Sequence, residues 1–226
     1  MMAATHTPPL GFAALTPFYD RAISLMTREA VWRTALVEHI GAKNGDMILD
    51  VGSGTGSLAI AIAASASGCF VKGVDPDAAA VAIAKDKAIR SGSKALFDRG
   101  EFGRDPTLSA SPIDKISCSL VLHQVPLAEK RRLLRAMFDR LKPGGKLFIA
   151  DYGLQPTLGM QVAFRLTVQM LDGTTNTQPN ADGILPQFIK EAGFKNVREL
   201  DSFSTITGRL EILGAEKPGA PVDQLA

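Results

Sequence analysis

The fold this sequence predicts is an open α/β sheet, mostly parallel, with helices on both faces, and three observations predict it. From Met47 to Asp151 short apolar runs alternate with stretches of helical spacing, the rhythm of βαβ units joined by right-handed crossovers. Within that stretch "LDVGSGTGSLAI", Leu49 to Ile60, runs from a strand through a glycine-rich turn into a helix, as nucleotide sites on such sheets do. Near the end, "VRELDSFSTITGRLEILGAEKP" reads as two strands hinged at Thr207–Gly208. So short a hinge makes that pair antiparallel, because a parallel pair needs a long crossover.

The elements follow in order. Residues 1–16, with Thr5, Pro8, Pro9 and Gly11, read as a flexible tail. From Phe18 to Ile40 apolar residues recur at helical spacing, with Thr27 as a cap within the span and "GAKNGD" ending it. "MILDVG" is a buried strand and Ser57 to Ser67 an alanine-rich helix. "CFVKGVD" is the second strand, and Asp77 to Ser91 is a helix starting just after Pro76. "KALFDRG" and "DKISCSL" are the third and fourth strands. Leu127 to Leu141 is helical and stops at "KPGG", ahead of the fifth strand "KLFIAD". Beyond Asp151, Gln161 to Leu171 reads as a helix, "DGTTNTQPNADG" as a polar loop, and Leu185 to Ala192 as a helix closed by Gly193. One domain over residues 41–218, with tails at 1–16 and 219–226, accounts for the pattern.

Composition excludes some classes. The 226 residues are 46% hydrophobic and 21% charged, with a formal charge of only +2, so no electrostatic footprint for a nucleic-acid backbone is present. No apolar run reaches the ~18 residues of a membrane span, and no secretory signal is legible. Cys69 and Cys118 lie in apolar strand-like runs and read as packed, reduced thiols of a cytoplasmic protein. Lys130, Arg131, Arg132 and Arg135 read as the solvated face of one helix.

The glycine turn separates two kinds of nucleotide. Gly52, Gly54 and Gly56 form a G-x-G-x-G pattern, and Ser57 stands where a dinucleotide fingerprint wants Gly or Ala. Asp50, two residues before the first glycine, would repel a diphosphate and suits a ligand with an ammonium group and a sulfonium nearby. "LDVGSGTG" resembles motif I of the class I S-adenosylmethionine-dependent methyltransferases, and further motifs match in order. The resemblance implies that Asp50, Gly52, Ser53, Gly54 and Gly56 cradle the cofactor. In "GVDPD" it implies a ribose contact at Asp75, beside Pro76. In "RGEF" it places Glu101 on the adenine amino group and the Phe102 N–H on the ring. "IDKISCSLVLHQVP" resembles the end of strand four, with Ser119 and Leu120 along the methionine moiety, and "LKPGGKLFIAD" the turn into strand five. The implied fold is Rossmann-like, with seven strands in the order 3-2-1-4-5-7-6 and strand 7 antiparallel. "FYDRAISLMTREAVWRTALVEHI" resembles the N-terminal lid of the ubiquinone/menaquinone-biosynthesis group, giving a lid over residues 17–40. The apolar N-terminal residues Phe12, Phe18, Met26 and Trp32 would face the acceptor together with Gln161–Leu171, within a second lid segment over residues 154–192. After Asp151 the chain departs from that group, lacking its longer insert and tyrosine-rich stretch.

The resemblance implies methyl transfer to an O, N, S or C atom of a small molecule by in-line displacement, a reaction governed by alignment. An acceptor that must first lose a proton benefits from a general base, and His123, Asp151 and Tyr19 are the candidates. Structural roles compete for each: backbone bonding or helix capping for His123, pocket lining for Asp151 and helix packing for Tyr19. No metal-ligand constellation is visible. The place after strand four reads "SLVLH" rather than the Asn/Asp-Pro-Pro-aromatic motif of amino-group methyltransferases, which disfavours DNA. A monomer or homodimer acting on a small molecule is expected. A SAM-binding sensor or assembly protein without turnover is the alternative. An NAD(P)-dependent oxidoreductase is disfavoured by Ser57 and by the lack of a Tyr-x-x-x-Lys pair.

Overall fold

A computed structural model of the chain describes residues 28–105, 108 and 112–219. The elements run α1 (Glu29–Ile40), β1 (Met47–Val51), α2 (Ser57–Ser65), β2 (Phe70–Asp75), α3 (Ala78–Ser91), β3 (Leu96–Arg99) and β4 (Ile113–Ser119). They continue with α4 (Leu127–Arg140), β5 (Leu141–Tyr152), α5 (Leu158–Leu166), α6 (Val168–Asp172), α7 (Thr174–Ala181), α8 (Leu185–Glu191), β6 (Lys195–Thr205) and β7 (Gly208–Glu216). The sheet order is β3-β2-β1-β4-β5-β7-β6. The first five strands are parallel, and β7 runs antiparallel to both β5 and β6. The predicted topology holds, including the tight Thr207–Gly208 hinge.

Strand alternation divides the core between two faces. Leu49, Val51, Ile116 and Cys118 pack with Leu133, Leu134 and Met137 of α4 and with Leu185, Phe188 and Ile189 of α8. Ile48, Val71 and Phe97 pack on the opposite face with α1, α2 and α3. Trp32 is 1% exposed within that second layer. It supports the sheet instead of lining an acceptor lid, because it shares the buried stripe of α1 with Leu36 and Ile40 at helical spacing. Cys69 and Cys118 are buried free thiols.

Local chemistry explains most boundaries. Asp77 caps α3, its Oδ1 accepting the Ala79 and Ala80 N–H groups at 2.8 and 3.4 Å. Strand β5 starts at Leu141 and carries "KPGG" inside it, with a register shift against β4 at Ile113/Lys115. Gly56 takes φ +80°, and a Cβ there would lie 2.6 Å from Phe97 Cζ and 2.8 Å from Ala84 Cβ. Gly54, at φ +51°, has nothing within 4 Å of that position. Gly56→Ala is therefore expected to destabilise by about 2–4 kcal/mol, from overlap plus backbone strain. Gly54→Ala carries the strain alone, about 1–2 kcal/mol. Urea denaturation of the two variants checks the ranking, and equal losses would refute it.

The region after β5 differs from the expectation. The helix expected over Gln161–Leu171 starts earlier, at Leu158, capped by Thr157 Oγ1 accepting the Met160 N–H at 3.2 Å. It breaks at Thr167 into α5 and α6. The expected polar loop is helical over Thr174–Ala181, although Thr, Asn and Pro179 are poor helix formers. Tertiary bonds hold it there. Asn180, fully buried, donates from Nδ2 to the Tyr152 carbonyl at 3.0 Å, and the Asn176 carbonyl accepts from Lys130 Nζ at 2.9 Å. Helices α5–α7 thus form a cap near the β5 carboxyl end, where Phe164, Val168 and Ala181 cluster with Tyr152.

Candidate functional site

The strand order reverses between β1 and β4, and open α/β sheets bind ligands at that switch point, outside the carboxyl ends of the strands. The loop after β1 is the glycine turn. Its Gly52 and Ser53 N–H groups donate to the Val74 carbonyl at 2.8 and 3.1 Å, tying the turn to β2. A side chain at Gly52, φ +70°, would overlap Val121, so only glycine lets the loops after β1 and β4 approach this closely.

Two carboxylates flank the turn. Asp75, at the end of β2, accepts the Gly54 N–H on Oδ2 at 2.8 Å and the Asp77 N–H on Oδ1 at 2.9 Å. Each oxygen retains acceptor capacity, so Asp75 shapes the turn and still has lone pairs for hydroxyls. Asp50 is 1% exposed. Its Oδ1 accepts from Ser117 Oγ at 2.8 Å, while Oδ2 is buried with no hydrogen-bond partner. Burial pushes its carboxyl up to about 7, against the Ser117 bond, while the charge of Asp75 adds to the rise and that of Arg33 opposes it. Ser53 Oγ is likewise buried and unpartnered. A buried acceptor without a donor is costly in isolation and well matched to a cationic ligand group.

The other expected positions lie around this centre. Pro76 follows Asp75, its carbonyl accepting from Arg99 Nε at 3.4 Å. Glu101 lies on the loop after β3, exposed and paired to Arg104 at 2.7 Å, while the Phe102 side chain is buried and its carbonyl accepts from Arg132 Nη1 at 2.9 Å. Ser119 ends β4. Leu120 follows in the left-handed region at φ +54°, a conformation that costs a non-glycine residue of order 1–3 kcal/mol. That reversal carries the chain into the short turn Leu122–Gln124.

His123 and Asp151 meet there. His123 Nδ1 lies 2.7 Å from Asp151 Oδ1, and the ring packs edge-on to Tyr152. Asp151 also accepts the N–H groups of Leu122, His123 and Tyr152 at 2.7, 3.3 and 2.8 Å. It is fully buried and committed on both oxygens, so Asp151 is suited to fixing His123 rather than to taking a proton itself. On the other side, His123 Nε2 faces Asp172 Oδ2 at 3.5 Å. Desolvation disfavours the imidazolium, but the two carboxylates outweigh it and raise His123 to about 9. Tyr19, Phe12, Phe18, Met26 and Thr27 lie outside the described residues. Among the described residues no group of three or more His, Cys, Asp or Glu is placed to hold a metal.

Lys130 corrects the sequence reading. It is fully buried, not part of a solvated face, and donates from Nζ to the carbonyls of Leu122 and Asn176. Desolvation lowers it to about 8, against the attraction of Asp151. Its spacing to Leu133, Leu134 and Met137 on the buried stripe of α4 was the available signal. Arg33, Ser117 and Asp172 were also missed. Ser117 and Asp172 contact Asp50 and His123 and Arg33 acts on the charge of Asp50, none of it marked by a local motif, and Asp172 stands at the edge of the stretch read as a loop.

The chain is similar to known methyltransferases in sequence and in fold. A family model described as a methyltransferase domain matches residues 48–145. The ubiquinone/menaquinone biosynthesis C-methyltransferase of Bdellovibrio bacteriovorus is 28% identical, over 63% of this chain and 60% of that protein's length. The protein of the same name from Yersinia enterocolitica is 24% identical, over 89% and 86% of the two chains. Among solved structures, magnesium protoporphyrin IX methyltransferase from Synechocystis with bound SAH has a TM-score of 0.64 at 24% identity, covering 92% of this chain and 90% of that one. The [4+2]-cyclase SpnF shares the fold as well, with a TM-score of 0.61 at 19% identity over 83% and 80%. Among the described residues no helix is long and apolar enough to cross a membrane. The matched segment runs from β1 into β5 of a sheet of order 3-2-1-4-5-7-6, so the chain is similar to methyltransferases in the part that carries the glycine turn.

Proposed function

We propose that this chain transfers a methyl group from S-adenosylmethionine to a small-molecule acceptor. The observation that carries the reading is the pair of carboxylates around the glycine turn, Asp75 with free lone pairs and Asp50 with a buried, unpartnered oxygen. These residues fit a ligand that combines a ribose with a cationic amino-acid end. Asp50 takes the ammonium and Asp75 the ribose hydroxyls. Gly52, Ser53, Gly54 and Gly56 give close backbone approach, with Pro76 beside the ribose. Glu101 and Phe102 flank the adenine, Glu101 releasing Arg104 to do so, and Ser119 and Leu120 line the methionine chain. The bound cofactor supplies an electrophilic methyl on a sulfonium. What the chain supplies is alignment and a place for the acceptor's proton. Asp151 fixes the His123 ring, and His123 Nε2, once free of its own proton, is the atom suited to receive one. Helices α5–α7 act as the lid on the acceptor side, and Tyr19 is a further candidate for the acceptor's proton.

The acceptor atom, O, N, S or C, stays open within this reading. Incubation with methyl-labelled S-adenosylmethionine and a metabolite extract tests it: label in a small molecule is expected. No S-adenosylhomocysteine binding by calorimetry would sink the reading.

A second reading, cofactor binding without methyl transfer, is favoured by two observations. Held between two carboxylates, His123 carries a proton at neutral pH and is no base, and a cyclase shares this fold. Binding without transfer of label would select it.

A further inference from the structure

We propose that Asp172, placed by α6 beside His123 Nε2, is a positioning residue that strengthens the hold of that nitrogen on its proton. The proposal rests on the reading above for its use in catalysis, but not for its chemistry.

The two carboxylates on His123 are held very differently. Asp151 lies in the sheet with both oxygens bound, by the Leu122, His123 and Tyr152 N–H groups and by the ring. That partner cannot leave without breaking the end of β5, and it keeps Nδ1 protonated. Asp172 is the last residue of α6, five residues long, and Gly173 follows at φ +80°. Its side chain is 19% exposed, and its contact with Nε2, at 3.5 Å, is at the outer limit of a hydrogen bond. The ring therefore has one fixed carboxylate and one on a short cap helix.

Asp151 does more to raise His123, and Asp172 adds to it from the other side of the ring. From α4, Lys130 turns its ammonium to the Leu122 and Asn176 carbonyls and acts on the charge of Asp151. From β4, the buried Cys118 thiol is pushed well up and stays neutral. From β7, burial also raises Glu211, which pairs with Arg209 at 3.0 Å. Tyr152 presents a ring edge, and its hydroxyl bonds Thr207 at 2.8 Å. Asp172 is thus the one anion described at Nε2. When it is in place, burial is overcome and both ring nitrogens are protonated. Removing the Asp172 charge weakens the hold on the Nε2 proton, while the ring stays oriented by Asp151.

The test is a ¹⁵N-detected NMR titration of His123 in the full chain without ligand, the resonance being assigned by its absence in His123→Asn. Asp172→Asn is expected to lower the midpoint by about one pH unit or more, and Asp172→Glu to return it toward wild type. A midpoint unmoved in Asp172→Asn overturns the proposal, as does an equal drop in both variants, which would mark a steric role in α6 packing. Asp172 is partly exposed at a helix end, so both variants retain the fold. Because no cofactor or acceptor is added, the result is independent of whether the chain methylates anything.

Discussion

Asp50→Asn is expected to flatten the pH dependence of stability while weakening cofactor binding. A carboxyl raised to about 7 in the fold contributes stability that is full below its unfolded value near 4 and is lost as pH rises through 7. The loss amounts to as much as about 4 kcal/mol. An amide of the same shape keeps an acceptor for Ser117 Oγ and carries no charge, so the variant does not follow that slope. His123, raised to about 9, acts at higher pH, losing its contribution between about 6.5 and 9. It is present in both proteins, so it cancels in the comparison. Urea denaturation at pH 5 and pH 8 is the measurement. The wild type should lose more stability between the two than Asp50→Asn, and parallel losses would show that Asp50 ionises freely. In calorimetry the variant should bind S-adenosylhomocysteine at least ten-fold more weakly, since a charge-assisted bond contributes about 1.5–3 kcal/mol. The site thus holds a buried charge that the empty fold is better off without.

The second large effect belongs to Asp75. Asp75→Ala should weaken S-adenosylhomocysteine binding by roughly 10- to 150-fold, which corresponds to about 1.5–3 kcal/mol. Two losses combine. The ribose hydroxyls lose their acceptor, and the Gly54 and Asp77 N–H groups lose theirs, so the glycine turn and the start of α3 loosen together. Asp75→Asn keeps one carbonyl acceptor and should fall between the wild type and Asp75→Ala. Calorimetry on proteins matched for melting temperature separates these cases. Wild-type affinity in Asp75→Ala would overturn the ribose assignment.

Much of this site was legible because it is local. The turn from Gly52 to Gly56 needs positive φ at its glycines, and glycine is the residue that reaches it freely. Asp50 and Asp75 stand at fixed offsets from that turn, so strand and turn geometry deliver them to one place. The places of β1 to β5 followed from short apolar runs, because parallel strands are covered on both faces, but the start of β5 did not, since "KPGG" reads as a turn and lies inside the strand. Helix α7 was not legible. Its residues favour a loop, and it is helical because buried Asn180 and the carbonyl of Asn176 find partners on β5 and α4. Lys130 was misread for a related reason. Its charge predicts solvent, while its position in the Leu133–Leu134–Met137 stripe places it inside, and two carbonyls receive its ammonium there.

The sequence by itself determined the mostly parallel sheet, its antiparallel β6–β7 hairpin and the glycine turn, since each depends on periodicity or on backbone conformations open to few residues. Only the tertiary structure decided the protonation chemistry. That Asp50 is buried against Ser117, that Asp151 is spent on four donors, and that Asp172 reaches His123 from a separate helix are outcomes of packing between distant segments. Burial and neighbouring charge set the pKa of a group, and neither is a property of the residue or of its neighbours in sequence.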